Sequence, residues 1–566
     1  MCELYVKADP ILYESRSRSL RIRGVVTTLR LENQFWDILR EIAEGEGLST
    51  NQLITNLYEE VMDYRGEVLN FASFLRVSCT RYLAQRREKV AELSLVGQRA
   101  QAEGEGRRDR GETFRLVALP PPIRRRLVKY SLPTTATAPF CPSAVSHSVA
   151  VPADASPLRK LALFIGPGLL VSVGYMDPGN WATAIEAGSR FGYALLFVVV
   201  LASFSGMLLQ SLCSRLGIAT GRDLAQLSRE RYRPGVARGQ WLLAELSIVA
   251  TDLAEVLGAA LAFHLLLGVS ITTGVVLTAF DTLIVLALQG ANFRRLEAIV
   301  LGLIATIGAC FFVELVLIGP YWPDVAAGLR PSWDTLSSQE PLYLAIGILG
   351  ATVMPHNLYL HSSVVQTRVS GDDAASKRSE IRFSRLDTIG SLSLALLVNA
   401  AILILAAAAF HGSGHTEVVE IQDAYHLLDP LVGGALASFL FGFALLAAGQ
   451  SSTFTGTIAG QVVMEGFLRA KIPCWQRRLI TRGLALVPAL IGVLWLGEAA
   501  VGKLLVLSQV VLSLQLPFAL WPLIRFSSDR GLMGEFVNPR WVSALAWSLF
   551  GLISAANLTL LYFWFG

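Results

Sequence analysis

Two short stretches set proline and glycine beside ligand-bearing side chains inside otherwise apolar runs. They are Asp177-Pro178-Gly179-Asn180 in GYMDPGNWATAIEAG and Ala351-Thr352-Val353-Met354-Pro355-His356-Asn357 in GATVMPHNLYLHSS. Proline removes a backbone donor, and glycine admits dihedrals that interrupt a helix. In lipid the freed carbonyls need partners, so unwound backbone survives only where it lines a cavity or binds something. The side chains at the breaks select a cation. Asp177 is a lone carboxylate, which at membrane depth calls for a positive charge, and Asn180 adds a neutral oxygen three residues on. Met354 adds a thioether, which does nothing for magnesium or calcium and favours transition metals. No group at either break suits an organic substrate.

A second set of polar residues lies apart from the breaks. Glu245, Asp252 and Glu255 fall inside one apolar run, and Asp252 and Glu255 share a helical face. Carboxylates at membrane depth face a cavity, share protons or pair with arginine. Arg478 and Arg482, four apart, are candidate partners. With His356 and His361 after the second break, they form a candidate proton pathway, histidine being able to titrate near neutral pH. A static ion-pair network is the other reading of the same residues. Asp281 and Glu314 are also expected to be buried, with helix–helix hydrogen bonding as their role.

The elements that must position these groups are membrane helices. From Leu161 onward, apolar stretches near the membrane-spanning length of about 20 residues recur. There are eleven: 161–189, 193–213, 241–267, 271–289, 296–319, 341–366, 386–410, 431–453, 479–497, 499–524 and 541–565. The breaks fall in spans 1 and 6, the first members of two consecutive five-span sets. That placement points to inverted repeats with a binding site at the membrane midplane. Loops after even-numbered spans carry most of the arginine and lysine, while the 411–430 loop is acidic. The charge asymmetry therefore places the N-terminus in the cytoplasm and the C-terminus outside.

Composition separates the two ends of the chain. Overall, 53% of the 566 residues are hydrophobic and 16% charged, with mean hydropathy +0.50. Residues 1–158 hold 22 Lys+Arg and 19 Asp+Glu, whereas the remaining 408 residues hold 26 and 25. The first part reads as polar and soluble, the second as a membrane domain. A net charge of +4 shared between them excludes a strongly basic polymer binder. Six scattered cysteines with no CxxC argue against a disulfide framework or a zinc-thiolate site. Residues 1–30 show no apolar run behind a basic start, so a cleaved signal peptide is not expected. No GxxxxGK[ST] motif supports drive by ATP, and no nucleophile arrangement supports an enzyme.

Residues 16–85 predict a small folded unit. Alternation puts Leu29 and Leu31 on one strand face and Thr28 and Arg30 on the other. A helix carrying Phe35, Leu39 and Ile42 follows; Ser49 caps a second, from Asn51 to about Tyr64. A third starts after Asn70 with Phe71, Phe74, Leu75 and Tyr82. The pattern resembles a ribbon-helix-helix domain. That resemblance implies strands paired across a dimer and, in many members, a ribbon in the DNA major groove, with Thr28 and Arg30 as candidate DNA contacts. Residues 86–157, ending in a Ser/Thr/Ala/Pro-rich tract, are expected to be a disordered linker.

Residues 158–566 resemble the Nramp family of proton-coupled divalent-metal transporters. DPGN and MPHN carry the resemblance, with ATDLAEVLGAALAF in span 3, GQSSTFTGTIAGQVVMEGF at 449–467 and LSQVVLSLQLPFAL in span 10. It implies an all-α membrane protein with the LeuT-like fold, eleven transmembrane helices forming two five-helix inverted repeats. It also implies a metal site of Asp177, Asn180, Met354 and the carbonyl of Ala351, joined in some states by Gln509. One departure is Ala184, where many members have an acid, with Glu186 nearby.

The expected function is inward symport of Mn(II), Fe(II) or similar ions with protons across a bacterial-type inner (plasma) membrane. The substrates are the metal and the proton, and no cofactor is called for. Two alternatives stay open: an organic-solute symporter of the same fold, and a membrane-tethered DNA-binding regulator whose transporter-like part senses metal.

Overall fold

The computed structural model describes residues 14–22, 25–46, 48–65, 71–83, 149–151, 156–287, 293–369, 373–416, 418, 420–432, 435–468, 474–497 and 501–565. The chain divides into two compact units, Met1–Ala136 and Thr137–Gly566.

In the first unit, β1 (Ser15–Ile22) pairs antiparallel with β2 (Val25–Glu32), in the register Arg18↔Leu29 and Ser17↔Arg30. Helices α1 (Asn33–Gly45), α2 (Thr50–Arg65) and α3 (71–83) follow. Leu29 and Leu31 are buried as the alternation requires, against Trp36, Leu39, Ile54 and Leu75. Ser49 caps α2 reciprocally: Gln52 N donates to Ser49 Oγ (3.3 Å), and Ser49 N donates to Gln52 Oε1 (2.9 Å). The in-chain partner of β2 is a finding that the sequence did not announce. The β1 segment SRSRSLRI alternates serine with arginine, so it carries no apolar period to mark it as a strand. Trp36 Nε1 donates to Arg16 O (3.0 Å) and Arg76 forks onto Glu32 (2.6 and 3.0 Å), tying β1 and α3 to the rest.

The second unit is helical. Among its described residues, seven helices are long and apolar enough to cross a membrane. They are span 2 (Leu196–Thr220), span 3 (Pro234–Leu267), span 5 (Phe293–Ile318), span 7 (Ala374–Ala406), span 8 (Ala435–Leu468), span 10 (Val501–Ser527) and span 11 (Arg540–Phe565). Span 4 (Ile271–Ala287) and span 9 (Cys474–Leu496) accompany them. The two broken spans complete the eleven: 1a (Pro167–Gly174) with 1b (Pro178–Phe191), and 6a (Gln339–Thr352) with 6b (Pro355–Val364). Span 1 starts later than expected, because Pro157–Phe164 is a separate helix bent 41° from 1a. Within the stretch expected to be linker, Val149–Ala150 form a short strand, β3, parallel to β4 (Arg368–Val369); residues 84–148 and 152–155 lie outside the described residues.

Packing relates the two five-span sets. Span 1a contacts 6b, and 1b contacts 6a; span 2 packs on span 7, span 3 on span 8, span 4 on span 9. Span 5 packs on span 8, and its counterpart, span 10, packs on span 3. Each contact has its image in the other set, as an inverted two-fold relation demands.

Candidate metal site at the two helix breaks

Helix 1a ends at Gly174, and Asp177 takes an extended conformation (φ −67°, ψ 164°) to cap 1b ahead of Pro178. Asp177 Oδ1 accepts from Asn180 N (2.9 Å) and from Asn180 Nδ2 (2.7 Å). The second break is its counterpart: 6a ends at Thr352, Val353 leaves helical geometry (φ −106°, ψ 68°), and Met354 precedes Pro355 of 6b. The breaks meet. Asn180 Nδ2 donates across to Ala351 O (2.8 Å), and Gln509 Nε2 of span 10 reaches Asp177 Oδ2 (3.5 Å). Span 3 passes close behind: a Cβ on Gly258 would lie 2.2 Å from the Pro178 ring, so only glycine fits there.

All five residues expected at the site are buried. Asp177, Asn180, Ala351 and Gln509 form one hydrogen-bonded set. Met354 stands at the same break, but its sulphur accepts from Asn357 Nδ2 (3.6 Å) and its side chain packs with Ala250 and Leu512. One amide NH2 group, that of Asn180, lies between a carboxylate and a carbonyl oxygen. A cation there would meet both oxygens, and rotating the amide would turn Asn180 Oδ1 to it. One carboxylate with neutral oxygens and a thioether suits a single divalent transition metal. Among the described residues, no three His, Cys, Asp or Glu side chains converge in a way that could hold a resident metal ion.

The second polar set is partly assembled. His356 Nδ1 lies 3.3 Å from Thr251 Oγ1, beside Asp252 on span 3. Asp252 and Glu255 converge on Gly456 of span 8, where an added Cβ would be 3.3 Å from Asp252 Oδ1 and 3.0 Å from Glu255 Oε1. His361 turns elsewhere. Its Nδ1 pairs with Gln210 Oε1 (3.0 Å), and Gln210 Nε2 donates to the Tyr175 hydroxyl (3.1 Å). Arg478 and Arg482 lie in span 9, with side chains outside the described residues, as is that of Asp281. Glu314 departs from the helix-bonding expectation: it is buried, and neither carboxylate oxygen has a hydrogen-bond partner among the described residues.

Charged ties lie at both ends of the broken span 1. At the start of 1a, Asp387 Oδ2 accepts from Gly168 N (2.7 Å), and Arg368 pairs with Glu297 (2.7 Å) in a buried contact. At the other end, Arg190 bridges Glu186 and Glu340 (both 3.4 Å), and Glu420 accepts from Gly502 N (2.6 Å) at the head of span 10. In the first unit, Arg30 is exposed on β2, while the side chain of Thr28 lies outside the described residues.

Sequence reading missed Asn357, Asn399, Gln210, Tyr175 and Thr251. Asn399 Nδ2 donates to Tyr175 O (2.7 Å), holding the first break. Asn357 stood in the quoted motif, and Asn399 is a lone amide in an apolar run; both were legible signals. Thr251 also stood in a quoted motif and Gln210 is a lone amide in the apolar run of span 2; what the sequence does not give is the partner that each one meets.

Crossed broken helices, one buried carboxylate at the crossing and repeat-related packing define a membrane transporter of the inverted-repeat class. The comparisons name the family. A profile described as Natural resistance-associated macrophage protein-like (Nramp) matches residues 168–563, and one described as Ribbon-helix-helix domain matches 15–83. The chain belongs to the Nramp family. It is 99% identical over 439 residues to Divalent metal cation transporter MntH 1 of Pseudomonas aeruginosa, covering 78% of this chain and 100% of that one. It is 70% identical over 432 residues to Divalent metal cation transporter MntH of Ralstonia nicotianae, covering 76% and 98%. A crystal structure of a mutant manganese transporter from Eremococcus coleocola superposes with a TM-score of 0.69 at 40% identity, over 74% of this chain and 90% of that one.

Proposed function

We propose that this chain imports divalent transition-metal ions, manganese and iron among them, into the cytoplasm together with protons, across a bacterial plasma membrane with its N-terminus inside and C-terminus outside. The observation that carries the reading is the crossing of the breaks: Asp177 Oδ1 and Ala351 O converge on one Asn180 amide nitrogen, at 2.7 and 2.8 Å. The divalent-metal names of the relatives support it, and the proton-coupled family supports the coupling. Asp177, Asn180, Ala351 and Met354 would hold the ion, with Gln509 beside them. Asp252, Glu255 and His356, with Arg478 and Arg482, would carry protons; His361 would serve through Gln210. Radiolabelled manganese and radiolabelled amino acid, offered to vesicles bearing the protein, separate this reading from an organic-solute symporter. Uptake of the amino acid alone would overturn it.

The ribbon-helix-helix match supports a second role for the first unit, in dimerisation or DNA contact through the face that bears Arg30 and Thr28. A gel shift with residues 14–83, together with uptake by a chain lacking them, tests it. No shift with full uptake would remove the regulator reading.

A further inference from the structure

Asn357 follows the second break and is fully buried (0% exposed). Its Nδ2 donates to Met354 Sδ (3.6 Å), while its Oδ1 has no hydrogen-bond partner among the described residues. A Cβ on Gly174 would fall 2.2 Å from Asn357 Nδ2. The NH2 end of the amide therefore abuts the last residue of 1a, whose carbonyl accepts from Asn180 Nδ2 (3.4 Å). Asn357 thus stands between the thioether of one break and the backbone of the other.

That use of a buried amide is unusual. Thioether sulphur is a weak acceptor, and an amide oxygen is a strong one that packing normally satisfies. Here the donor is turned to the weak acceptor and the strong acceptor is left over. Gln509 shows the same asymmetry: its NH2 is engaged by Asp177 and Ser508, and its oxygen has no partner among the described residues. Unpaired acceptors around a cation site suit the water carried on a metal ion, which only donates.

We propose that Asn357 is a positioning residue for the transported ion. Its N–H occupies one lone pair of Met354 Sδ and so directs the other toward the metal, and its oxygen faces the water on that metal. The inference rests on Met354 being a metal ligand, as read above. Fixing the sulphur matters most for soft ions, which gain more from it than manganese does.

The test uses the full chain in sealed vesicles, with cadmium and manganese uptake measured side by side for wild type, Met354→Ala, Asn357→Leu and the double variant. The expected result is a cadmium-over-manganese ratio about fivefold or more lower in Asn357→Leu, and no lower in the double variant than in Met354→Ala, as for residues acting through one another. Should Asn357→Leu fail to insert, Asn357→Ser, whose hydroxyl is too short to keep the amide's place, is expected to show the same loss. An unchanged ratio, or losses that multiply in the double variant, overturns the proposal alone. A wild-type chain that carries neither metal overturns the transport reading, and this proposal with it.

Discussion

Replacing Asp177 by asparagine removes a charge and almost nothing else. The carboxylate oxygen accepts from Asn180 N and Nδ2 at 2.9 and 2.7 Å, and an asparagine oxygen can accept both. The new amide group would face Gln509, which would turn its own oxygen to meet it. Folding should therefore change by no more than about 1 kcal/mol, since a buried charge and its desolvation cost leave together. Metal binding should collapse. Two unit charges about 4 Å apart at an effective dielectric constant of about 20 attract by about 4 kcal/mol, and a divalent ion doubles this. If desolvation cancels half, about 4 kcal/mol remains, or roughly a thousandfold in affinity. Calorimetric titration of manganese into the purified variant, beside a thermal melt, measures both quantities. Manganese binding within about tenfold of wild type, in a variant that melts normally, would refute the claim that Asp177 is the charged ligand.

Met354→Ala should keep manganese uptake better than cadmium uptake and let calcium compete, because oxygen ligands remain after the sulphur is gone; unchanged calcium exclusion would make Met354 a packing residue. Gly258→Ala should cut uptake about tenfold or more, as its methyl would meet the Pro178 ring at 2.2 Å and overpacking costs about 1–3 kcal/mol; normal uptake would show that the first break tolerates displacement. In the loop between spans 7 and 8, burial raises Glu420 to about 7 from an ordinary 4.5, with Asp423 and Glu186 adding to the rise and the Gly502 N–H and Lys503 opposing it. The folded chain holds that proton more tightly than the unfolded one. Its contribution is therefore complete below 4.5 and is lost as pH rises through about 7. Glu420→Gln should flatten the melting temperature over that window, and an undiminished slope would assign it to other groups.

What could be read before the structure follows from how strongly each signal is tied to the backbone. The breaks were legible because proline and glycine interrupt a membrane helix whatever surrounds them, and Asp177 and Met354 stand directly before their prolines. The repeat was legible from the spacing of those breaks. The bend at Gly166, with φ at +151°, carried the same proline and glycine signal in LFIGPGLL, but no ligand-bearing side chain stands beside it, so it did not stand out as a break. The division of the histidines was not legible. His356 and His361 sit five apart on 6b, yet one faces Thr251 of span 3 and the other Gln210 of span 2. Sequence separation on one helix does not say which neighbour each face meets. The β1 strand stayed hidden for a related reason, since serine and arginine in alternation acquire meaning only from the register with β2.

Coupling of metal to proton is the central claim, and simultaneous flux measurement addresses it. Full-length protein in sealed vesicles, loaded with a pH-sensitive dye, would be given manganese outside with and without an inward proton gradient. Manganese entry should acidify the lumen, quicken with the gradient and vanish in Asp177→Asn, while Glu255→Gln and Asp252→Asn bind manganese but lose the accompanying proton flux. Manganese entry without acidification, indifferent to the gradient, would contradict the account.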